Sequence, residues 1–145
     1  MVEQATITVK RGTRFNTGSV MELDRLVNGT GERPNLIGPL FADGNIWVAR
    51  VGEEIVGFMA FSPTLLHHWA VEMLVVHPDH RRKGVGTALV RHCETICSDR
   101  RFFTAVGESN EAMRGLLAKL GHEPSGQIAH LTEGESTLIY VKQLA

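Results

Sequence analysis

A basic loop with two glycines, Arg81-Arg82-Lys83-Gly84-Val85-Gly86, constrains this chain more than any other stretch. It follows the run from Ala70 to Val76, which is apolar, rich in β-branched residues and typical of a strand. After the loop, apolar residues recur at helical spacing, at Val85, Leu89, Cys93 and Ile96. This order of strand, glycine loop and helix places backbone amides and the positive end of a helix dipole where an anion can bind.

The same loop predicts a diphosphate site, because Arg81, Arg82 and Lys83 add fixed positive charge beside glycines that a ligand can approach closely. The alternative is an ordinary strand-to-helix turn with a solvated basic face. An NTPase loop is disfavoured, since the chain lacks the Gly-Lys-Ser/Thr ending of that motif.

Length and charge limit the remaining possibilities. The 145 residues suit one domain, which we expect over residues 1–145. The formal net charge of −1 argues against a nucleic-acid partner. No apolar run approaches the roughly 20 residues needed to span a bilayer, and the N-terminus lacks the apolar core of a secretory signal. We therefore expect a cytoplasmic protein with no membrane partner.

The two cysteines, Cys93 and Cys97, lie four apart on one predicted helix, which disfavours a disulfide framework and favours thiols in the core. We expect no metal, because the sequence offers no obvious set of ligands near them.

Elsewhere, the stretch from Asn28 to Asn45 is rich in Gly, Asn and Pro and predicts a loop with one short helical turn. Alternating or apolar runs predict strands at Ala5–Lys10, Ile46–Val51, Ile55–Phe61, His67–Val76, Phe102–Val106, Gln127–Leu131 and Ser136–Lys142.

Two motifs together resemble the GNAT superfamily of acyl-CoA-dependent N-acetyltransferases. The stretch Val76-His77-Pro78-Asp79-His80-Arg81-Arg82-Lys83-Gly84-Val85-Gly86 is similar to the family's acyl-CoA loop, in which Arg-x-x-Gly-x-Gly follows a strand and His-Pro. Asn110-Glu111-Ala112 with Leu116-Leu117-Ala118-Lys119-Leu120-Gly121 resembles its Asn-led helix ending in Leu-Gly-aromatic. Glu54-Ile55-Val56-Gly57-Phe58 is a weaker match to its second hairpin strand. The two strong motifs stand in the family's order.

The resemblance implies an α/β protein with one mixed, mostly antiparallel central sheet of about seven strands flanked by about four helices. In the GNAT fold two neighbouring parallel strands splay apart. Here they would be the strand that ends at Val76 and the strand from Phe102 to Val106.

The resemblance also implies acetyl-CoA as cosubstrate, with the pantetheine arm paired to exposed backbone groups between the splayed strands. Whether the acyl group is acetyl or longer stays open. Asn110 is expected to bond the pantetheine amides, to cap its helix, or to do both. The expected cofactor-binding residues are Leu74, Val75, Val76, Arg81, Arg82, Lys83, Gly84, Val85, Gly86, Thr87 and Asn110.

Glu72 is the first candidate for the general base, because an apolar strand would desolvate its carboxylate and the family often has Glu at this position. His68 would share a face with Glu72 and relay its proton to solvent. The alternatives are an outward-facing Glu and an ordinary strand-end His. The sequence departs from the family at Leu117, where many members have Tyr, and at His122, which replaces an aromatic residue. The only tyrosine is Tyr140, so the usual phenolic acid is absent.

These features predict an N-acetyltransferase that moves an acetyl group from acetyl-CoA to a primary amine of a small molecule or peptide by direct attack. The alternative is an acyl-CoA-binding regulatory or sensor module without turnover. The family's acceptor pocket would be built from Asn28–Asn45 and Gln127–Ser136, which carry no diagnostic motif. The oligomeric state stays open, with a homodimer as one alternative.

Overall fold

The computed structural model describes residues 6–29 and 33–144. In this part of the chain, seven strands form one sheet in the order β1-β2-β3-β4-β5-β7-β6, and four α-helices accompany it. The strands are β1 (Ile7–Arg11), β2 (Ile46–Val51), β3 (Glu54–Leu65), β4 (His68–Val76), β5 (Arg101–Gly107), β6 (Glu123–Thr132) and β7 (Glu135–Gln143). The helices are α1 (Thr17–Asn28), α2 (Arg33–Ala42), α3 (Val85–Ile96) and α4 (Glu111–Lys119).

Strand pairing confirms the expected fold class. The pairs β1–β2, β2–β3, β5–β7 and β6–β7 are antiparallel, whereas β4 and β5 run parallel. The β4–β5 pairing joins Ala70 to Phe103 and Val71 to Thr104. The separation of these two strands beyond this pairing stays a prediction.

The described residues group into two compact units. The first unit comprises residues 6–29, 33–61 and 73–92. Its core forms where α1 and α2 pack on the strands of the same unit. The buried side chains of this core are Val20, Leu23, Ile37, Ile46, Val48, Phe58, Ala60, Met73 and Val75.

Gly57 lets α3 lie close to β3 in the first unit. A Cβ atom at Gly57 would lie 2.7 Å from Cγ1 of Val85 and 3.1 Å from the carbonyl oxygen of Val75. Both distances are shorter than ordinary van der Waals contacts, so a side chain would push α3 away. Glycine in the weaker motif around Gly57 is therefore explained by packing, since it lets Val85 at the start of α3 lie against β3.

The second unit comprises residues 62–72 and 93–144. Helix α4 buries Met113, Leu117 and Leu120, as its periodicity predicts. Gly121 has φ +87°, the left-handed conformation expected of the residue that follows a helix. The predicted final hairpin is confirmed as β6 and β7, and both strands are longer than expected.

The loop predicted for Asn28–Asn45 is wrong in part, because α2 occupies Arg33–Ala42 despite Pro39 inside it. A proline in a helix removes one hydrogen bond and costs about 3 kcal/mol. Ile37 is fully buried against the core of the first unit, and this tertiary burial outweighs the local signal. Residues 30–32 of the predicted loop and Ala5 of the predicted first strand lie outside the described residues.

Both cysteines are free thiols, and Cys93 is buried whereas Cys97 is half-buried. Burial raises the pKa of both thiols, so neither is an activated nucleophile. Ile96, expected on the same buried face of α3, is instead 43% exposed, because it lies in the last turn of the helix. Within the described residues, the helices lack the length and apolar character that crossing a bilayer requires.

Candidate active site

The basic loop lies in the first unit, as a turn from Arg81 to Gly84 directly before α3. Gly84 has φ +89° and Arg82 has φ +61°. Glycine adopts such left-handed conformations freely, whereas arginine adopts them at a cost of about 1–2 kcal/mol. Strained residues of this kind cluster in ligand-binding loops. All four residues of the turn are exposed.

The N-terminus of α3 presents amides to this loop. The amide of Ala88 donates to the carbonyl of Gly84 at 2.9 Å, so the amides of Val85, Gly86 and Thr87 precede the helical ladder. The first turn of α3 contains no acidic residue. Unpaired amides, the helix dipole and three adjacent cations therefore make this end of α3 suited to an anion.

Two histidines hold the base of the loop. Nδ1 of His77 accepts a hydrogen bond from the amide of Asp79 at 3.1 Å, and the amide of His77 donates to Val56 at 2.8 Å. Nε2 of His80 lies 3.9 Å from Oε2 of Glu54. The His77 backbone and the His80 imidazole therefore contact β3, whereas the His77 imidazole holds Asp79 within the loop. Leu74, Val75 and Val76 lead directly into this segment along β4.

Glu72 lies in the second unit and is exposed, although Ala70, Val71 and Met73 around it are buried. The expectation that its strand desolvates the carboxylate is therefore wrong. Side chains alternate across a strand, but Ala70 on the same face is buried, so the exposure of Glu72 comes from its own surroundings and not from the face it shares. Its role as general base stays a prediction, and the exposure leaves the carboxylate accessible to a substrate.

His68 forms a close pair with a residue that the sequence did not indicate. Its Nδ1 lies 2.6 Å from Oδ2 of Asp99, and the His68 side chain is 45% exposed. This hydrogen bond lowers the pKa of the Asp99 carboxyl. Asp99 holds the ring, so Nε2 remains available for proton exchange. Four strand residues span about 13 Å, so a proton relay between His68 and Glu72 would need water.

Asn110 caps α4 as predicted, because its Oδ1 accepts a hydrogen bond from the amide of Met113 at 3.1 Å. The side chain is exposed. With Oδ1 engaged in the cap, the Nδ2 donors face no partner that the structure describes. The geometry is compatible with both roles predicted for Asn110, and a ligand group at Nδ2 would have to be an acceptor.

Comparison with known proteins decides the family. The acetyltransferase (GNAT) family matches residues 28–122, well over half of the chain. This chain belongs to the GNAT family. It is 31% identical over 97 residues to the peptidyl-lysine N-acetyltransferase YjaB of Salmonella typhimurium, covering 66% of this chain and 62% of YjaB. The chain spans less than two thirds of the length of the curated relatives it matches first.

Solved structures share the same fold. A GNAT-family acetyltransferase from Bacillus cereus superimposes with a TM-score of 0.90 at 22% identity, covering 97% of this chain and 99% of that one. The yncA protein of Salmonella typhimurium, solved with its cofactor acetyl-CoA, has a TM-score of 0.74 at 16% identity and covers 96% and 94% of the two chains. At these identities the likeness establishes the GNAT fold.

Leu117, which replaces the tyrosine of many GNAT proteins, belongs to the core and has no exposed surface. Tyr140 is also buried, and its hydroxyl accepts a hydrogen bond from Nε of Arg114 at 3.4 Å. A second contact from Arg114 reaches the carbonyl of Glu108 at 3.0 Å. The Tyr140 hydroxyl therefore has a structural partner on α4.

His122, which replaces the aromatic residue common among GNAT proteins, has a fully buried side chain. Its Nε2 lies 2.9 Å from Oε2 of Glu94, and Nζ of Lys142 lies 3.0 Å from Oε1 of the same carboxylate. The ring also contacts Phe102 edge-on at 5.3 Å. Nδ1 is buried and has no partner among the described residues. Burial lowers the pKa of His122, against the opposing effect of Glu94, because a proton on Nδ1 would find no acceptor.

This arrangement predicts a pH-dependent stability. The unfolded imidazole takes up a proton as the pH falls below about 6.5, whereas the folded one resists it. We therefore expect the free energy of unfolding to decrease between pH 7.5 and pH 5.5. His122→Phe restores the usual family aromatic and should flatten this dependence. Urea unfolding at pH 7.5 and pH 5.5 gives the change in the free energy of unfolding for each protein. An equal change in the wild type and in His122→Phe would contradict the assignment.

Proposed function

We propose that this GNAT protein transfers the acetyl group of acetyl-CoA to a primary amine of a small molecule or peptide. The amine nitrogen attacks the thioester carbonyl carbon, the carbon–sulfur bond breaks, and CoA leaves as its thiolate. The observation that carries this proposal is the start of α3, where a left-handed Gly84 and three adjacent cations stand before a first turn without acidic residues. It suits the diphosphate of CoA better than a simple monoanion, because several donors and charges converge.

The other cofactor contacts follow from the chemistry of acetyl-CoA. We assign the diphosphate to the loop from Arg81 to Thr87, and the pantetheine amides and thioester oxygen to the backbone of Leu74, Val75 and Val76. Nδ2 of Asn110 can donate only to an acceptor, so we assign it to a pantetheine carbonyl.

Glu72 is the proposed general base, because a neutral amine is needed for attack and this carboxylate is exposed on β4. It takes the proton directly or through water. His68, held by Asp99, is the proposed exit for that proton. The leaving thiolate has an ordinary pKa near 8.5 and therefore needs no dedicated acid near neutral pH.

For the acceptor amine, we propose only its chemical class. YjaB is named a peptidyl-lysine N-acetyltransferase, which supports a lysine side chain as one acceptor. A small-molecule amine is the other proposed acceptor class, since the segments Asn28–Asn45 and Gln127–Ser136, which the resemblance assigns to the acceptor pocket, carry no diagnostic motif.

A second candidate function is an acyl-CoA sensor without turnover. The observation that favours it is Leu117, which is buried in the core where many relatives present a phenol. The exposed carboxylate of Glu72 favours the enzyme, since a sensor has no use for a base.

One experiment separates the two functions. Purified protein is incubated with acetyl-CoA and a panel of amino acids, polyamines, aminoglycosides and lysine peptides, and free thiol is measured over time. Amine-dependent release in any class supports the transferase and names its acceptor class. Acetyl-CoA binding by calorimetry without release from any amine supports the sensor.

Tyr140→Phe is expected to change turnover by less than about twofold, because the Tyr140 hydroxyl is occupied by Arg114 and thiolate departure needs no acid. The lost hydrogen bond should cost about 1 kcal/mol of stability. Steady-state thiol release and urea unfolding test both parts. A folded Phe variant that binds acetyl-CoA but has lost turnover would make Tyr140 the missing acid.

A further inference from the structure

We infer that Glu135 is a positioning residue that fixes the loop carrying Asn110 and thereby sets the affinity for acetyl-CoA. This inference rests on the proposed role of Asn110 in the proposed function. The loop in question, residues 107–110, connects β5 to α4. All of the contacts described next lie within the second unit.

Glu135 and its neighbour hold two successive amides of this loop. The amide of Ser109 donates to Oε2 of Glu135 at 2.9 Å, and the amide of Glu108 donates to the carbonyl of Ser136 at 3.0 Å. Hydrogen bonds from the side chain and then the amide of Ser109 lower the pKa of the Glu135 carboxyl. The carboxylate is therefore ionised at neutral pH and accepts these bonds at full strength.

The absence of a side chain at Gly107 leaves space for the Glu135 carboxylate. A Cβ atom at Gly107 would lie 2.7 Å from Oε1 and 3.3 Å from Cδ of Glu135. Any side chain at this position would displace the carboxylate from Ser109. Since the clash is with the flexible end of Glu135, Gly107 is needed for this position of the carboxylate and not for the backbone fold, and the need disappears if Glu135 is shortened.

Asn110 follows this anchored pair directly. Its amide donates to the carbonyl of Gly107 at 3.0 Å, and its Oδ1 caps α4 through Met113. On the other side of the loop, Nη1 of Arg114 donates to the carbonyl of Glu108 at 3.0 Å. The backbone that carries Asn110 is therefore fixed from both sides, and its Nδ2 donors are left in a defined position.

Holding a binding group in place before the ligand arrives reduces the ordering cost of binding. Glu135 begins β7 immediately after the turn at Glu133 and Gly134, so the β6–β7 hairpin supports the proposed pantetheine contact. Loss of Glu135 should weaken acetyl-CoA binding without changing the rate of the chemical step, because Glu135 touches no reacting atom.

The test compares acetyl-CoA affinity by calorimetry with steady-state kinetics. Glu135→Ala should raise Kd and KM for acetyl-CoA about three- to tenfold, the scale of ordering one or two groups, and leave kcat unchanged. Glu135→Gln keeps a side-chain acceptor for Ser109 and should recover most of the affinity. Glu123→Ala, which removes an exposed carboxylate at the start of β6 outside the proposed binding segments, is the matched control and should bind as wild type.

Gly107→Ala gives an independent test that leaves both hydrogen-bonding partners in place. Alone it should weaken binding as Glu135→Ala does, since its methyl group expels the carboxylate. Combined with Glu135→Ala it should cause no further loss. Asn110→Ala should weaken binding too, and adding Glu135→Ala to it should have little further effect, because both changes remove the same contact.

The outcomes distinguish the inference from the proposed function. A Glu135→Ala protein with a lower melting temperature but wild-type Kd and KM would overturn the inference alone, since its role would then be purely structural. Additive losses in the double variant with Asn110→Ala would overturn it as well. Wild-type protein that fails to bind acetyl-CoA would overturn the proposed function, and the inference with it.

Discussion

Glu72→Gln is expected to lower turnover about 10²-fold or more, the usual effect of losing a general base. Gln has the same shape but cannot accept the proton of the attacking amine. Acetyl-CoA affinity should stay nearly intact, because Glu72 is not among the groups assigned to the diphosphate. Thiol release at saturating acetyl-CoA across the pH range, with calorimetric Kd values, measures both quantities.

A matched control for this variant is Glu53→Gln, which removes another exposed carboxylate from the turn between β2 and β3. It should leave turnover unchanged. If Glu72→Gln keeps wild-type turnover throughout the pH range, the base lies elsewhere. His68 then becomes the next candidate, and Asp99→Asn should shift the pH profile, because Asp99 orients the imidazole.

Gly84→Val is expected to weaken acetyl-CoA binding about tenfold or more, equivalent to at least about 1.4 kcal/mol. The φ of +89° disfavours any side chain, and the added atoms would stand where we propose that the diphosphate approaches the loop. The protein itself leaves room, since the nearest atom to an added Cβ is Cδ1 of Ile7 at 3.9 Å. The strained φ should also lower the stability of the variant, so its affinity is measured on protein shown to be folded.

The control is Gly52→Val, at φ +62° in the turn between β2 and β3, where an added Cβ meets no atom within 4 Å. It imposes a similar backbone strain away from the loop and should leave the calorimetric Kd unchanged. Wild-type binding should also weaken as salt is added, because part of the attraction is electrostatic. Unchanged affinity in both Gly84→Val and Arg81→Ala would refute the assignment of the loop.

The sequence predicted those parts of the site whose signals are local. The glycines after β4, the periodicity of α3 and the Asn110 cap each depend on residues within a few positions, so their conformations could be inferred. Asp99 with His68 and Glu135 with Ser109 could not, because these partners are 31 and 26 residues apart and meet only through the sheet.

The errors have the same cause. The Gly, Asn and Pro content of Asn28–Asn45 indicates a loop, yet burial of Ile37 imposes the helix α2. Glu72 stands in an apolar run, yet the open surroundings of this position leave it exposed although Ala70 on the same face is buried. Local composition cannot report how much surface a neighbouring element covers.

At Arg82, the backbone conformation and the local charge favour different residues. Glycine would adopt the left-handed φ of +61° at this position without strain. Only a basic side chain, however, adds positive charge at the loop where we propose that the diphosphate binds. A screen that selects for heat resistance alone should therefore drift toward glycine at this position. A screen that selects for acetyl-transfer activity should retain arginine. The two screens would separate what the fold prefers from what the ligand requires.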